Sequence, residues 1–183
     1  MLESEKTGAL NPDFTKAEKS ALQILEDNFI VSPPVPVEEL IEFAGLGIVR
    51  SDFDDGEISG VINLEKKYLY INAKDSPERQ RFTIAHELGH WILHRKEMES
   101  NKEMAVLYRR SIGTKENDVF EQEANFFAAN LLVPEKMFLK VYQEEQNKTV
   151  QQGGFIVSDA VIAKIFEVSR SVIGYRRQSL GMW

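Results

Sequence analysis

The chain has 183 residues, a length that suits one domain able to bury roughly 70% of the surface its unfolded chain exposes. It contains no cysteine, which excludes a disulfide scaffold and any thiolate metal site, and leaves imidazole and carboxylate as possible metal donors. A net charge of −7 argues against a nucleic-acid binder, whose affinity rests on neutralising phosphates, and no run of about 18 apolar residues is present to span a membrane.

Residues 1–12 are polar and mixed in charge, with no apolar run of the signal-peptide kind. Residues 1–14 are therefore expected to be flexible, and the cytoplasm is the expected location. Residues 15–29 follow as an amphipathic helix, its stripe formed by Ala17, Ala21, Leu22, Ile24, Leu25 and Phe29. Pro33, Pro34 and Pro36 forbid a helix and force an extended turn before a short helix over 37–44, ended by Gly45.

From 47 to 72 the pattern changes to short β-branched and aromatic runs around Ile48, Ile58–Ile62 and Tyr68–Ile71, separated by polar turn residues. These predict a three-stranded antiparallel meander. Asp75-Ser76-Pro77-Glu78 is a strong helix start, with a cap residue, proline at the first helical position and an acid in the first turn. That helix should run to about His94. Residues 95–117 show no clear periodicity. Further helices are expected over 120–133, stopped by Pro134, over 135–145, and as a hairpin over 159–168 and 169–180.

All three histidines lie on the helix that this start opens. His86 and His90 are four apart, so their rings share a face one turn apart, at a spacing that suits one ion. Glu87 projects to the side, where it can reach a water at that ion and act as a general base. A catalytic zinc site normally takes three protein ligands, and His94 lies one turn too far along a straight helix to be the third. It reads instead as support for the ligands. The better third ligand lies in Glu121-Gln122-Glu123-Ala124-Asn125, because an apolar helix carrying an inward carboxylate needs a partner for that charge. Glu121 is the first choice, although Asp118 three residues earlier also makes a capping pair of it. Glu123 is the fallback, with a solvated face as its expected role. Asn125, one turn beyond Glu121, can accept from the free ring nitrogen of a ligand histidine.

The run from Arg81 to His90 with Leu93-His94, then Glu121, Ala124, Asn125, Phe127 and Ala128, then Leu131 to Pro134, resembles the ImmA/IrrE family of metallopeptidases. Tyr70-Ile71-Asn72, Val168-Ser169 and Leu180-Gly181 extend the likeness over nearly the whole chain. The elements and the motif together give the expected fold, α+β and minimal zincin-like, in a single domain over 1–183 closed by a C-terminal hairpin over 159–181. The resemblance implies one Zn2+ per chain held by His86, His90 and Glu121, with Glu87 as the base. It also implies a substrate class, a helix-turn-helix transcriptional repressor cleaved at one site, as in the control of mobile elements, phages and stress responses.

Two other readings compete. Zinc could serve docking on a repressor without hydrolysis, although a non-catalytic site has no need of Glu87. The C-terminal hairpin, with Lys164, Arg170, Arg176 and Arg177, could be a DNA-reading helix-turn-helix, against which the acidic chain argues. The alternative for the hairpin is that it closes the fold and covers the sheet. Tyr108, Arg109, Arg110 and Tyr175 are the available candidates for oxyanion or substrate contacts, and none stands out.

Overall fold

Helix α1 (Phe14–Asp27) opens where the Asp13 side chain accepts from the Lys16 backbone N–H at 2.8 Å, satisfying one of the donors a helix start leaves free. The computed structural model describes residues 11–53, 58–100 and 119–182. Residues 1–10, including most of the segment expected to be flexible, lie outside them, whereas Asp13 and Phe14 belong to ordered helix structure. The helix stops two residues short of the expected end. Phe29 stands in the left-handed region at φ 56° and is 87% exposed, so the buried stripe is Ala17, Ala21 and Leu25 alone.

Helix α2 (Val37–Phe43) leads through Gly45, at φ 77°, into strand β1 (Gly47–Ser51). Strands β2 (Gly60–Asn63) and β3 (Tyr68–Asn72) form an antiparallel hairpin, Gly60 pairing with Ile71 and Asn63 with Tyr68. The α+β class stands, but the meander does not. The strand order is β1-β3-β2, and β1 runs parallel to β3, Gly47 against Tyr68. Alternation marks each strand without fixing its neighbours. The strand that takes the centre is β3, which has Leu69 and Ile71 fully buried, and among the described residues β2 is an edge strand.

Helix α3 (Pro77–Leu93) crosses the sheet, packing on β2 and β3, while α2 packs on β1. Ser76 caps it, its side chain accepting from the Arg79 N–H as the sequence predicts. A short helix α4 (Arg95–Ser100) follows, inside the stretch expected to be irregular. The rest of that stretch, residues 101–117, lies outside the described residues. Helix α5 (Val119–Leu132) packs along α3 on one side and α1 on the other. Then come α6 (Glu135–Gln151), α7 (Asp159–Phe166) and α8 (Arg170–Ser179).

The terminal hairpin α7–α8 does not lie on the sheet. It packs beside α6 and is tied to the start of α3 by the Arg81–Glu167 ion pair at 3.4 Å. Arg176 of α8 donates to Asn130 Oδ1 of α5 at 3.1 Å, and Asn130 Nδ2 donates to the Phe126 carbonyl at 2.9 Å. Those two bonds account for an amide that is 1% exposed in the otherwise apolar C-terminal half of α5.

The approach of α3 to α5 depends on Gly89. A Cβ there would stand 3.0 Å from a ring carbon of Phe127 and 3.3 Å from the Ala124 backbone. Gly89→Val is therefore expected to destabilise the metal-free chain by about 2 kcal/mol or more, read by urea unfolding, because backbone cannot step aside as a side chain can. Unchanged stability would mean that the two helices are not in close contact here.

Candidate metal centre

Three donor atoms converge where α3 meets α5. The Nε2 atoms of His86 and His90 are 3.0 Å apart, and the Glu121 carboxylate oxygens lie 3.3 Å from the first and 3.2 Å from the second. Among the described residues these are the three side chains grouped so as to hold one ion. Tetrahedral zinc with bonds of about 2.0–2.1 Å needs donor atoms roughly 3.3 Å apart, and the observed separations fit.

Each histidine is tied back through its other nitrogen. His86 Nδ1 donates to Asn125 Oδ1 at 3.0 Å, which turns its Nε2 toward His90 and Glu121. His90 Nδ1 lies 3.1 Å from Nδ1 of His94. So the sequence-predicted residues His86, His90, Glu121, Asn125 and His94 are brought together, with His94 one layer back, as helix geometry requires. Tyr108, Arg109 and Arg110 lie outside the described residues, as does Asp118. Tyr175 is 73% exposed and lines a groove whose walls do not include the three donors.

Glu123 corrects the sequence reading. It is 7% exposed and does not face solvent: one oxygen is 2.7 Å from His94 Nε2 and the other accepts from the Asp13 backbone N–H at 2.6 Å. No signal in the neighbouring sequence marks these partners, which lie at the end of α3 and the entry of α1.

Glu87 is 6% exposed on the sheet side of α3. The bond from Asn72 N to Ser59 O at 2.8 Å sets the phase of the ladder, so the N–H groups of Gly60 and Ile62 point away from β3 toward the sheet edge. The Glu87 carboxylate accepts from Ile62. Gly60 makes this approach possible, since a Cβ on it would meet the Thr83 methyl at 2.4 Å and sit 3.6 Å from Glu87 Cγ. A glycine inside a strand pattern is the sequence sign of such an approach.

The electrostatics follow from burial and charge. Burial pushes the Glu87 carboxyl up to about 7, against the opposing pull of His86. Burial likewise drives His90 down to about 4, so that it stays neutral near pH 7. His86 moves the other way: burial opposes its cation, but the Glu121 hydrogen bond and the charges of Glu87 and Glu121 raise it above the ordinary value. Glu121, although burial opposes its charge, is held well below the usual carboxylate range by hydrogen bonds from both histidines. A carboxylate kept ionised beside two imidazole nitrogens is a donor set for a divalent cation. A second acid kept near neutrality beside it can exchange a proton at ordinary pH.

A helix carrying His-Glu-x-x-His across a small sheet, with an acid from the next long helix, is the arrangement of a minimal zincin-like fold with a candidate metal site. The family comparison is more specific. Residues 41–177 match the Peptidase_M78 family, described as the IrrE N-terminal-like domain, and the chain belongs to that family. It is 26% identical over 132 residues to the radiation response metalloprotease IrrE of Deinococcus radiodurans, covering 72% of this chain and 39% of that one. It is 27% identical over 148 residues to the metallopeptidase ImmA of Bacillus subtilis, covering 79% of this chain and 76% of that one. Among solved structures, a Mycobacterium tuberculosis transcriptional regulator superposes with a TM-score of 0.60 at 14% identity, covering 88% of this chain and 46% of that one, which shows the shared fold. The chain thus spans less than half the length of both the Deinococcus protein and the solved structure.

Proposed function

We propose that this chain is a zinc-dependent endopeptidase, with His86, His90 and Glu121 as the metal ligands and Glu87 as general base. The observation that carries the reading is the convergence of the three donor atoms beside a buried acid whose pKa is raised to about 7. A divalent ion in such a site, zinc by donor type and spacing, supplies a Lewis acid and lowers the pKa of a water to about 7. Glu87, anchored by Ile62, takes the proton from the attacking water and delivers it to the departing amine. Asn125 and His94 hold the ligand rings by their far nitrogens.

The substrate is proposed to be a protein, a helix-turn-helix repressor cut at one site in the cytoplasm, on the strength of the ImmA/IrrE resemblance. No helix among the described residues is long and apolar enough to cross a membrane. A groove of about 1010 Å³ begins at Asn125 and Phe82 beside the donors and runs between α5 and α8, walled by Phe126, Ala129, Val172 and Tyr175. Its size and apolar lining suit a peptide segment and exceed the needs of a small polar substrate. The DNA-reading alternative for the hairpin loses two of its cations, because Arg176 is engaged by Asn130 and Arg177 by Asp159 at 2.9 Å.

New protein N-termini in the source cell, compared between wild type and Glu87→Gln with zinc supplied, test this reading. A small set of cleavages within helix-turn-helix proteins, present only with intact Glu87, is the expected result. Identical sets in the two cells would overturn hydrolysis and favour action by docking.

A further inference from the structure

Behind His90, on the side away from Glu121, polar groups stand in file through the interior. His90 Nδ1 is 3.1 Å from His94 Nδ1, His94 Nε2 is 2.7 Å from Glu123 Oε2, and Glu123 Oε1 accepts from the Asp13 N–H at 2.6 Å. His90, His94 and Glu123 are all buried, so each hydrogen bond must be made within the protein. The Phe120 ring stands edge-on to His94 with centroids 4.7 Å apart, and limits how that imidazole can turn.

The protons in this file have one consistent arrangement. If His90 offers its Nε2 lone pair to an ion, its proton sits on Nδ1 and needs an acceptor. The facing atom is His94 Nδ1, which must then be bare. His94 consequently carries its proton on Nε2 and donates it to the Glu123 carboxylate. Without an acceptor at position 123, His94 has no reason to keep that tautomer. With its proton on Nδ1 it would set one N–H against another and turn the His90 ring out of line.

We propose that Glu123 and His94 are positioning residues: Glu123, acting through His94, fixes the tautomer and orientation of His90, and the Asp13 amide at the entry of α1 holds Glu123 in place. The inference rests on the reading of His90 as a ligand. It goes further in assigning the buried acid and in making the entry of α1 part of the support of the site. A carboxylate that reaches a ligand histidine through a second histidine places its charge one ring further from the ion than a direct contact does.

Zinc affinity, measured by competition with a chromophoric chelator, tests the proposal, together with the melting of each metal-free variant as a check on folding. Glu123→Leu and His94→Leu should each weaken zinc binding about 10–100-fold. Combining them should weaken it no further than His94→Leu alone, because one residue acts through the other. His94→Gln should recover most of the loss, since its amide oxygen can accept from His90 and its amide nitrogen can donate to Glu123. With Co2+ in place of zinc, the visible bands should shift in the leucine variants and return toward wild type in His94→Gln. Wild-type affinity in folded Glu123→Leu, additive losses in the double variant, or no rescue by glutamine would each overturn the proposal while leaving the metal site standing. Failure of the wild type itself to bind zinc would instead overturn the reading on which the proposal rests.

Discussion

Glu87→Gln is expected to lower peptide hydrolysis about 10²–10⁴-fold, the usual contribution of a positioned general base, while leaving metal affinity near wild type. The amide keeps the shape of the carboxyl and can still accept from Ile62, so the ligand helix is undisturbed. The same substitution should stabilise the metal-free chain at neutral pH, and the sign follows from proton linkage. Glu87 has a folded pKa of about 7 against 4.5 in the unfolded chain, so between those values the folded chain holds a proton that the unfolded chain has lost. Stability from this group is complete below pH 4.5 and is lost as pH rises through 7. Glutamine has no proton to lose, so its advantage grows across that window to about 3 kcal/mol at most. His90, lowered to about 4 in the folded chain, contributes the opposite slope between pH 4 and 6.5, but both proteins carry it and it cancels in the comparison. Urea unfolding of both proteins in chelator at pH 5 and pH 7.5 separates the outcomes. A gap that stays constant with pH would show that Glu87 is not held near neutrality by its burial.

Glu121→Gln should remove the metal. The carboxylate supplies the charge of the three-donor set, and breaking a buried charge pairing of this kind costs about 3–5 kcal/mol, which is on the order of 10²–10⁴-fold in affinity. Its loss should also let His86 fall from its raised pKa, since the Glu121 hydrogen bond is the largest influence raising it. NMR titration of the His86 ring in the metal-free variant would show this as a midpoint moved to lower pH. Glu123→Gln, on the opposite side of α5 from Glu121, should still load with zinc when the ion is supplied in excess. Equal retention by both variants would exclude Glu121 as a ligand.

Much of this site could be read from the chain because its chemistry is local. Ser76, Pro77 and Glu78 start a helix, and the four-residue spacing then decides that His86 and His90 share a face while His94 falls behind. Asn125 could be placed behind a ligand histidine because it follows Glu121 by one turn. What could not be read depends on contacts distant in sequence. Nothing in the run around Glu123 announces that His94 and the Asp13 amide lie opposite, 29 and 110 residues away, so burial of a charged residue looked improbable there. The parallel pairing of β1 with β3 likewise depends on which strand the two flanking helices cover. Phe29 has the right helical phase to extend the α1 stripe, yet the chain turns at Asn28, whose side chain donates to the Ile24 carbonyl at 2.8 Å and ends the helix first.

The central claim, that these three donors form a working metal site, is tested most directly by the metal content of the purified wild-type protein, determined by elemental mass spectrometry after dialysis against zinc-supplied buffer. About one zinc per chain, released only by a strong chelator, is the predicted result. Protein that stays metal-free while zinc is supplied and the chain is folded would contradict it, and would leave α3 as a docking surface rather than a catalytic one.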